Sequence, residues 1–309
     1  MDPSQTWLQR AWANAYLLMV LTTLVWGANA VASRLAVDQI SPIALTALRW
    51  AGACAVMLPL VRGELRRHWP VLRARWRLAC LLGMGGLSGF TVLMYLAAHS
   101  TSAINIGILQ GSTPIFVLMG AFVAFRTPIS RMQGIGVAIT LVGVAVIASR
   151  GDIDVLMALR FVPGDFLMIL ACLFNAGLAV GLRLRPPVPG MVYFTALAGF
   201  ACLAALPPLA AEIALGRFSM PTPLGWLIVA FTVIFPSLLS QLTFLRAIDL
   251  IGPGRAGVFV NLVPVFASIL AVLILGEPFG LYHAAALVLV LGGIFIAENR
   301  IPFGRRKPS

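Results

Sequence analysis

The sequence predicts an all-α membrane protein of ten transmembrane helices, arranged as two inverted five-helix repeats around a central cavity. Three observations lead there. The composition is that of a lipid-embedded chain, the apolar residues fall into ten runs of membrane-spanning length, and the second half of the chain repeats the first at an offset of 150 residues.

Of the 309 residues, 60% are hydrophobic and 10% are charged, and the mean hydropathy is +0.97. A soluble domain is about 45–50% apolar and about 25% charged. These values exclude a disordered chain and a conventional soluble enzyme. The net charge of +12 comes from basic residues that sit between apolar runs and form no continuous patch, so nucleic acid is not an expected partner. Cys54, Cys80, Cys172 and Cys202 all fall inside apolar runs and lack metal-ligand spacing. They read as buried thiols, and neither a metal nor a cofactor is expected. The first apolar run is too long for the core of a cleavable signal peptide, so none is expected.

A run of about 20 apolar residues crosses a bilayer as a helix. Runs bounded by charge, Pro or Gly cover 13–34, 42–61, 77–98, 102–125 and 130–149, which form a first repeat, 1–150. The runs 164–184, 189–210, 223–246, 255–275 and 281–298 form a second, 151–309. Barrel strands would show ten-residue alternation, which is missing, and a helix satisfies its backbone groups within one segment.

Arginine placement orients the chain. With the N-terminus inside, Arg10, Arg62, Arg66, Arg67, Arg73, Arg75, Arg77, Arg126, Arg131, Arg183, Arg185, Arg246, Arg255, Arg300, Arg305, Arg306 and Lys307 all fall on the cytoplasmic side. Only Arg34, Arg150, Arg160 and Arg217 fall outside, and Arg49 lies within a span. This bias places both termini in the cytoplasm of a multi-pass protein of the cell (inner) membrane.

The repeat is gapless over two consecutive spans. Gly107, Pro114, Phe116, Ala121, Pro128, Leu141 and Gly143 align with Gly257, Pro264, Phe266, Ala271, Pro278, Leu291 and Gly293. Upstream, Arg34 pairs with Arg183 and Pro42 with Pro189 at slightly smaller offsets. Five spans per half is an odd number, so the second half enters the membrane from the opposite side. Inverted repeats characterise secondary transporters, whose binding site lies near the midplane between the halves.

Trp26-Gly27-Ala28-Asn29, Pro42 and Arg49 carry a family resemblance. So do the stretch from Ala247 through Pro264 to Gly276-Glu277-Pro278 and Gly292-Gly293, and its first-half counterpart from Ala97 through Pro114 to Pro128 and Gly143. Over nearly the whole chain, about Tyr16 to Ala297, the sequence resembles an EamA-type member of the drug/metabolite transporter superfamily. The resemblance implies ten helices in two inverted repeats and export of amino acids or other small metabolites by alternating access. Within it, the branch exporting aromatic and neutral amino acids is the suspected one. The acidic position kept as Glu277 is Thr127 in the first half, so a symmetric role for that carboxylate is doubtful.

Polar side chains within spans tend to face a bundle interior or a wet cavity. Asn29, Gln110, Asn175, Gln241 and Asn261 lie on five different spans. Their amides can donate and accept, which suits a zwitterionic ligand, or they can join helices by hydrogen bonds. Trp26, Tyr95 and Phe244 lie at interior depth and could wall an aromatic pocket or simply pack. Trp7, Trp12, Trp69 and Trp76 read as interfacial anchors. Arg49 lies about 10 Å from the outer end at 1.5 Å per residue, and is assigned a structural or gating role ahead of carboxylate binding. Pro114, Pro236 and Pro264 are candidate kinks or hinges. Gly85/Gly89 and Gly107/Gly111 allow close helix approach. Arg246 and Asp249 read as a local ion pair, and Glu277 and Asp165 as helix-terminal charges.

The chain has no phosphate-binding Gly-x-x-x-x-Gly-Lys-Ser/Thr loop and no acidic residue deep in a span, and His99 and His283 lie near span ends. Facilitated diffusion, exchange and proton coupling are all compatible with the sequence, as is a monomer. The expected partners are a small-molecule substrate and lipid. A multidrug or other metabolite carrier of the same fold is the alternative. A channel or a membrane-embedded enzyme fits less well, because no ring of charges and no nucleophile–base pair stands out.

Overall fold

The computed structural model describes residues 12–126, 129–152, 154, 162–251 and 259–298. Trp7, Arg10, Thr127, Pro128, Arg160, Arg255, Gly257, Arg300, Arg305, Arg306 and Lys307 lie outside the described residues.

The described residues are helical, in ten elements: α1 Ala15–Leu35, α2 Pro42–Ala74, α3 Trp76–Ala97, α4 Ala103–Phe125, α5 Arg131–Ala148, α6 Pro163–Leu184, α7 Gly190–Ala214, α8 Pro223–Ile251, α9 Val263–Leu275 and α10 Leu281–Glu298. Seven are long and apolar enough to cross a membrane; α5, α9 and α10 are shorter apolar helices. Side chains such as Leu60, Val123, Leu227, Leu273 and Val288 stand on the outer surface, where a soluble protein would carry charge. The protein is a multi-pass membrane protein.

Short polar residues set where the helices begin. Ser41 accepts from the Ala44 N–H at 3.0 Å ahead of Pro42, and Ser102 accepts from Asn105 N at 3.0 Å. Thr222 accepts from Gly225 N at 3.1 Å, and Ser130 and Gln133 form a reciprocal capping box. Each satisfies a backbone donor that the first turn leaves unpaired.

Three expectations need correction. The second span does not end near residue 61: α2 runs 33 residues to Ala74, because a helix propagates through arginine as readily as through leucine. Pro114 and Pro264 do not kink continuous helices. Each stands in the first turn of a fresh segment, Thr113–Phe125 or Val263–Leu275, where its missing N–H costs nothing. Arg246 does not pair with Asp249; its Nε reaches the Trp12 carbonyl at 3.5 Å, and among the described residues the one carboxylate set against a basic side chain is Glu64, 3.5 Å from His68 Nδ1. Pro236 does interrupt a helix, within a π-helical stretch of α8, Val233–Leu239.

The 150-residue offset recurs in the geometry. Thr113–Phe125 and Val263–Leu275 are both 13 residues long and end on left-handed residues, Arg126 (φ 55°) and Gly276 (φ 64°). Helices α5 and α10 are both 18 residues. The π-helical stretch Leu82–Gly89 in α3 answers Val233–Leu239 in α8.

Helices α5 and α10 also pack reciprocally. A β-carbon added at Gly143 would lie 2.9 Å from Val290 and 3.1 Å from the Ala286 carbonyl. One added at Gly293 would lie 2.6 Å from the Gly136 carbonyl and 2.8 Å from Thr140 N. As one chain advances its partner recedes, so the two helices are antiparallel. Gly107 and Gly111 in α4 meet Ala267 and Pro264 in α9 the same way. Gly85 and Gly89 face only the Phe174 ring; in α3 the close contacts are made instead by Gly83 and Gly86.

Substituting Gly293→Ala should therefore lower the melting temperature of purified protein by an amount equivalent to about 1–3 kcal/mol of overpacking. Gly292, which has open space beside it, should tolerate alanine with no loss. Equal effects at the two positions would contradict the packing described.

Candidate functional site

A cavity of about 1130 Å³ lies between the helices. Its lining runs from Asn29 and Arg49, mid-helix, to Gln133, Arg183, Arg185, Gly190 and Ile248 at one end of the bundle. Trp26, Gln110, Pro114, Asn175, Pro236, Gln241 and Phe244 line it, together with Trp50, Phe90, Tyr193 and Phe194. Among the described lining residues there is no Asp or Glu.

Arg49 is the charged centre of this wall. It projects from α2 and is only 6% exposed. Its Nε donates to Ser237 Oγ at 2.9 Å, and its Nη1 donates to Tyr95 Oη at 2.8 Å and to Asn29 Oδ1 at 3.4 Å. The guanidinium lies 5.2 Å from the Trp50 ring centre. These partners come from α8, α3, α1 and α2, and all are neutral. A guanidinium has five N–H donors; among the described residues the two on Nη2 find no protein acceptor. The π-helical stretch of α8 explains the Ser237 contact, since Ser237 Oγ donates to the Thr232 carbonyl five residues back at 2.8 Å and turns toward α2.

Further polar atoms lie open around it. Gln110 Oε1 and Tyr193 Oη are buried without a hydrogen-bond partner among the described residues. Trp26 is fixed by its Nε1 bond to Ser240 Oγ at 2.9 Å and by Phe244, 5.3 Å between ring centres. Trp50 Nε1 donates to Thr91 Oγ1 at 3.3 Å. The wall thus combines a cationic edge, polar groups with spare bonding capacity and rigid aromatic faces, the composition of a small-molecule site.

The opposite end of the bundle is sealed by polar contacts between segments distant in sequence. Glu277 accepts from Ala103 N at 2.8 Å and from Ile104 N at 3.0 Å, capping α4 from the turn after α9. Asp165, in the first turn of α6 and 1% exposed, accepts from the Thr101 hydroxyl and from Asn105 Nδ2. Thr222 joins Gln39 through backbone and side chain, and Ser41 donates to Glu212 at 2.9 Å.

The sequence model of the EamA-like transporter family matches residues 13–149 and again 162–298. The chain belongs to the EamA-like transporter family. Among its EamA-like relatives, an uncharacterized transporter, YetK, of Bacillus subtilis is 26% identical over 92% of this chain and 86% of its own length. A probable amino-acid metabolite efflux pump of Salmonella typhimurium is 25% identical over 90% of this chain and 93% of its own length. A protein of known crystal structure shares the fold, with a TM-score of 0.62 at 20% identity, covering 92% of this chain and 96% of that one. The family is one of transporters, and the two relatives are described as a transporter and an efflux pump.

Of the residues singled out in this EamA-like sequence, Trp26, Asn29, Gln110, Asn175, Gln241, Phe244, Arg49, Pro114 and Pro236 converge on the cavity. Tyr95 does not line it; it stands behind Arg49 and holds it. Asn261 lies at the break ahead of α9, and Pro264 packs on Gly111; neither lines the cavity. Arg49, given a structural or gating role by sequence, is part of the wall. Ser237, Trp50, Tyr193 and the mouth arginines Arg183 and Arg185 were missed. A polar residue beside Pro236 within an apolar span was the available signal for Ser237; nothing local distinguished the others.

Removing the Glu277 cap should destabilise α4. Glu277→Ala is expected to cost about 0.5–2 kcal/mol, read as a lower melting temperature, with Glu277→Gln intermediate because one acceptor remains. An unchanged melting temperature in Glu277→Ala would mean the cap contributes nothing.

Proposed function

We propose that the chain is a secondary transporter that exports amino acids or related carboxylate-bearing metabolites across the cell membrane by alternating access. The observation that carries this reading is that, among the described residues, the Nη2 edge of buried Arg49 has no protein acceptor and the cavity lining holds no carboxylate. A guanidinium N–H donates a short, charge-assisted hydrogen bond to a carboxylate oxygen, and the Nη2 hydrogens are placed to do so. In this scheme Arg49 takes the substrate carboxylate and Gln110 Oε1 accepts from its ammonium. Tyr193 Oη supplies a second hydrogen-bonding group, and Trp26, Trp50, Phe194 and Phe244 pack its side chain. The aromatic wall favours aromatic and large neutral amino acids. A relative described as a probable amino-acid metabolite efflux pump is in keeping with this substrate class.

The cavity mouth lies at the end rich in arginine, and the positive-inside bias assigns that end and both termini to the cytoplasm. The described state then faces inward with its outer end sealed. Export requires the contacts at Glu277, Asp165 and Gln39 to part while the inner mouth closes. The matched π-helical stretches in α3 and α8, both lining the cavity, are suited to bend in that exchange, since π segments and kinks concentrate at functional sites. Two inverted five-helix repeats, 1–150 and 151–309, supply two equivalent states; the doubled family match, the matched segment lengths and the antiparallel α5–α10 pair support this division. A carrier of cationic drugs is disfavoured by the same acid-free wall.

Counterflow in proteoliposomes tests the reading. Purified full-length protein should accumulate labelled L-phenylalanine against unlabelled L-phenylalanine inside, saturably. Arg49→Gln should cut the initial rate about tenfold or more, the factor expected from losing a charge-assisted hydrogen bond of about 1.5–3 kcal/mol, while Arg62→Gln should not. Exchange of a permanent cation but of no amino acid would overturn the proposal.

A further inference from the structure

Helix α2 is too long for its membrane task. Its 33 residues span about 50 Å at 1.5 Å per residue, against a hydrocarbon core of about 30 Å. The apolar stretch 42–61 fills that core, so the last turns lie beyond it. This extension and the turn into α3 carry exposed Arg62, Arg66, Arg67, Arg73, Arg75 and Arg77. Their one acidic neighbour, Glu64, faces His68 at 3.5 Å. Trp69 and Trp76 are 56% and 50% exposed; such indole rings settle at the headgroup level of a bilayer. The extension is held rigidly: Leu72 is buried in a cluster with Val188 and Tyr193, and Leu65 packs against it.

Where this extension meets the α6–α7 connection lies a second cavity of about 440 Å³, which borders the mouth of the central one at Arg185. Arg75 from the turn after α2 and Arg185 from the α6–α7 connection both line it, together with apolar Val71, Leu184 and Pro186. The helical period places Arg67 on the same stripe of α2 as Val71 and Ala74. Guanidinium groups with apolar surface beside them match a phosphodiester joined to acyl chains, and basic clusters immediately beyond a transmembrane helix attract anionic lipid.

We propose that this cavity binds the headgroup phosphate of an anionic phospholipid, with Arg75 and Arg185 closing on the phosphate and the exposed tryptophans seated beside its glycerol backbone. The site shares Arg185 with the mouth of the central cavity, but the proposal does not rest on the transport reading.

Native mass spectrometry of the full-length protein in detergent, with phosphatidylglycerol or phosphatidylcholine of equal chain length added, tests it. Phosphatidylglycerol should be retained at least fivefold more than phosphatidylcholine. The double substitution Arg75→Gln/Arg185→Gln should remove that preference, while Arg126→Gln should leave it intact. Equal retention of the two lipids by the unsubstituted protein would overturn the proposal whether or not the double variant folds, as would an unchanged preference in a folded double variant. A third arm adds inorganic phosphate and glycerol 3-phosphate. If either displaces phosphatidylglycerol at equal concentration, the cavity is a site for soluble anions and the lipid assignment fails.

Discussion

A guanidinium buried among apolar helices is the constraint around which the rest of the structure is arranged. Desolvating a charge costs several kcal/mol even after relaxation, and membrane helices carry such groups only where they face partners or a wet cavity. Arg49 has both. Ser237, Tyr95 and Asn29 accept three of its five hydrogens from three other helices, tying α1, α3 and α8 to α2 at mid-depth. None of them is charged, so its positive charge is solvated but not cancelled. The remaining edge needs water or an anion, and the cavity supplies room for either. A carboxylate beside Arg49 would satisfy the guanidinium internally; under the proposed function, its absence among the described lining residues leaves that edge to a ligand.

The scaffold that holds this site depends on close helix approach. Without a hydrophobic drive between helices in lipid, van der Waals packing of small residues does much of the work. Gly143 and Gly293 admit each other's helices reciprocally, and Gly107 and Gly111 seat Ala267 and Pro264. In contrast, the sealed end is polar: Glu277 caps a helix far from it in sequence, and Asp165 is met by Thr101 and Asn105. Such hydrogen bonds are easier to exchange for water than a packed interface. One end of the molecule is thus held by polar contacts, while the α5–α10 seam is held by close packing of small residues.

The helices and most of the cavity were legible in the sequence because hydrocarbon imposes simple rules. Apolar run length gave the spans, and polar residues at membrane depth gave Asn29, Gln110, Asn175 and Gln241. What escaped were features that depend on neighbours in space. Arg49 looked like a gate or brace because its lack of a carboxylate partner is a three-dimensional fact. Tyr95 had the right chemistry at the right depth but the wrong face, since periodicity does not say which side of a buried helix meets a void; Asn261 falls in the break ahead of α9. The run past residue 61 in α2 was hidden by its arginines, which end a hydropathy segment without ending a helix. Pro114 and Pro264 were read as kinks because the breaks at Ser112 and at Asn261–Leu262 have no local signature beyond the prolines themselves.

Equilibrium binding arranged as a cycle tests the central claim most directly: L-phenylalanine and L-phenylalaninamide, each measured by calorimetry against the unsubstituted protein and Arg49→Gln. If the Arg49 edge holds the carboxylate, removing either partner weakens binding about tenfold or more, and removing both weakens it little further. Independent, multiplying losses, or an amide bound as tightly as the acid, would contradict the account.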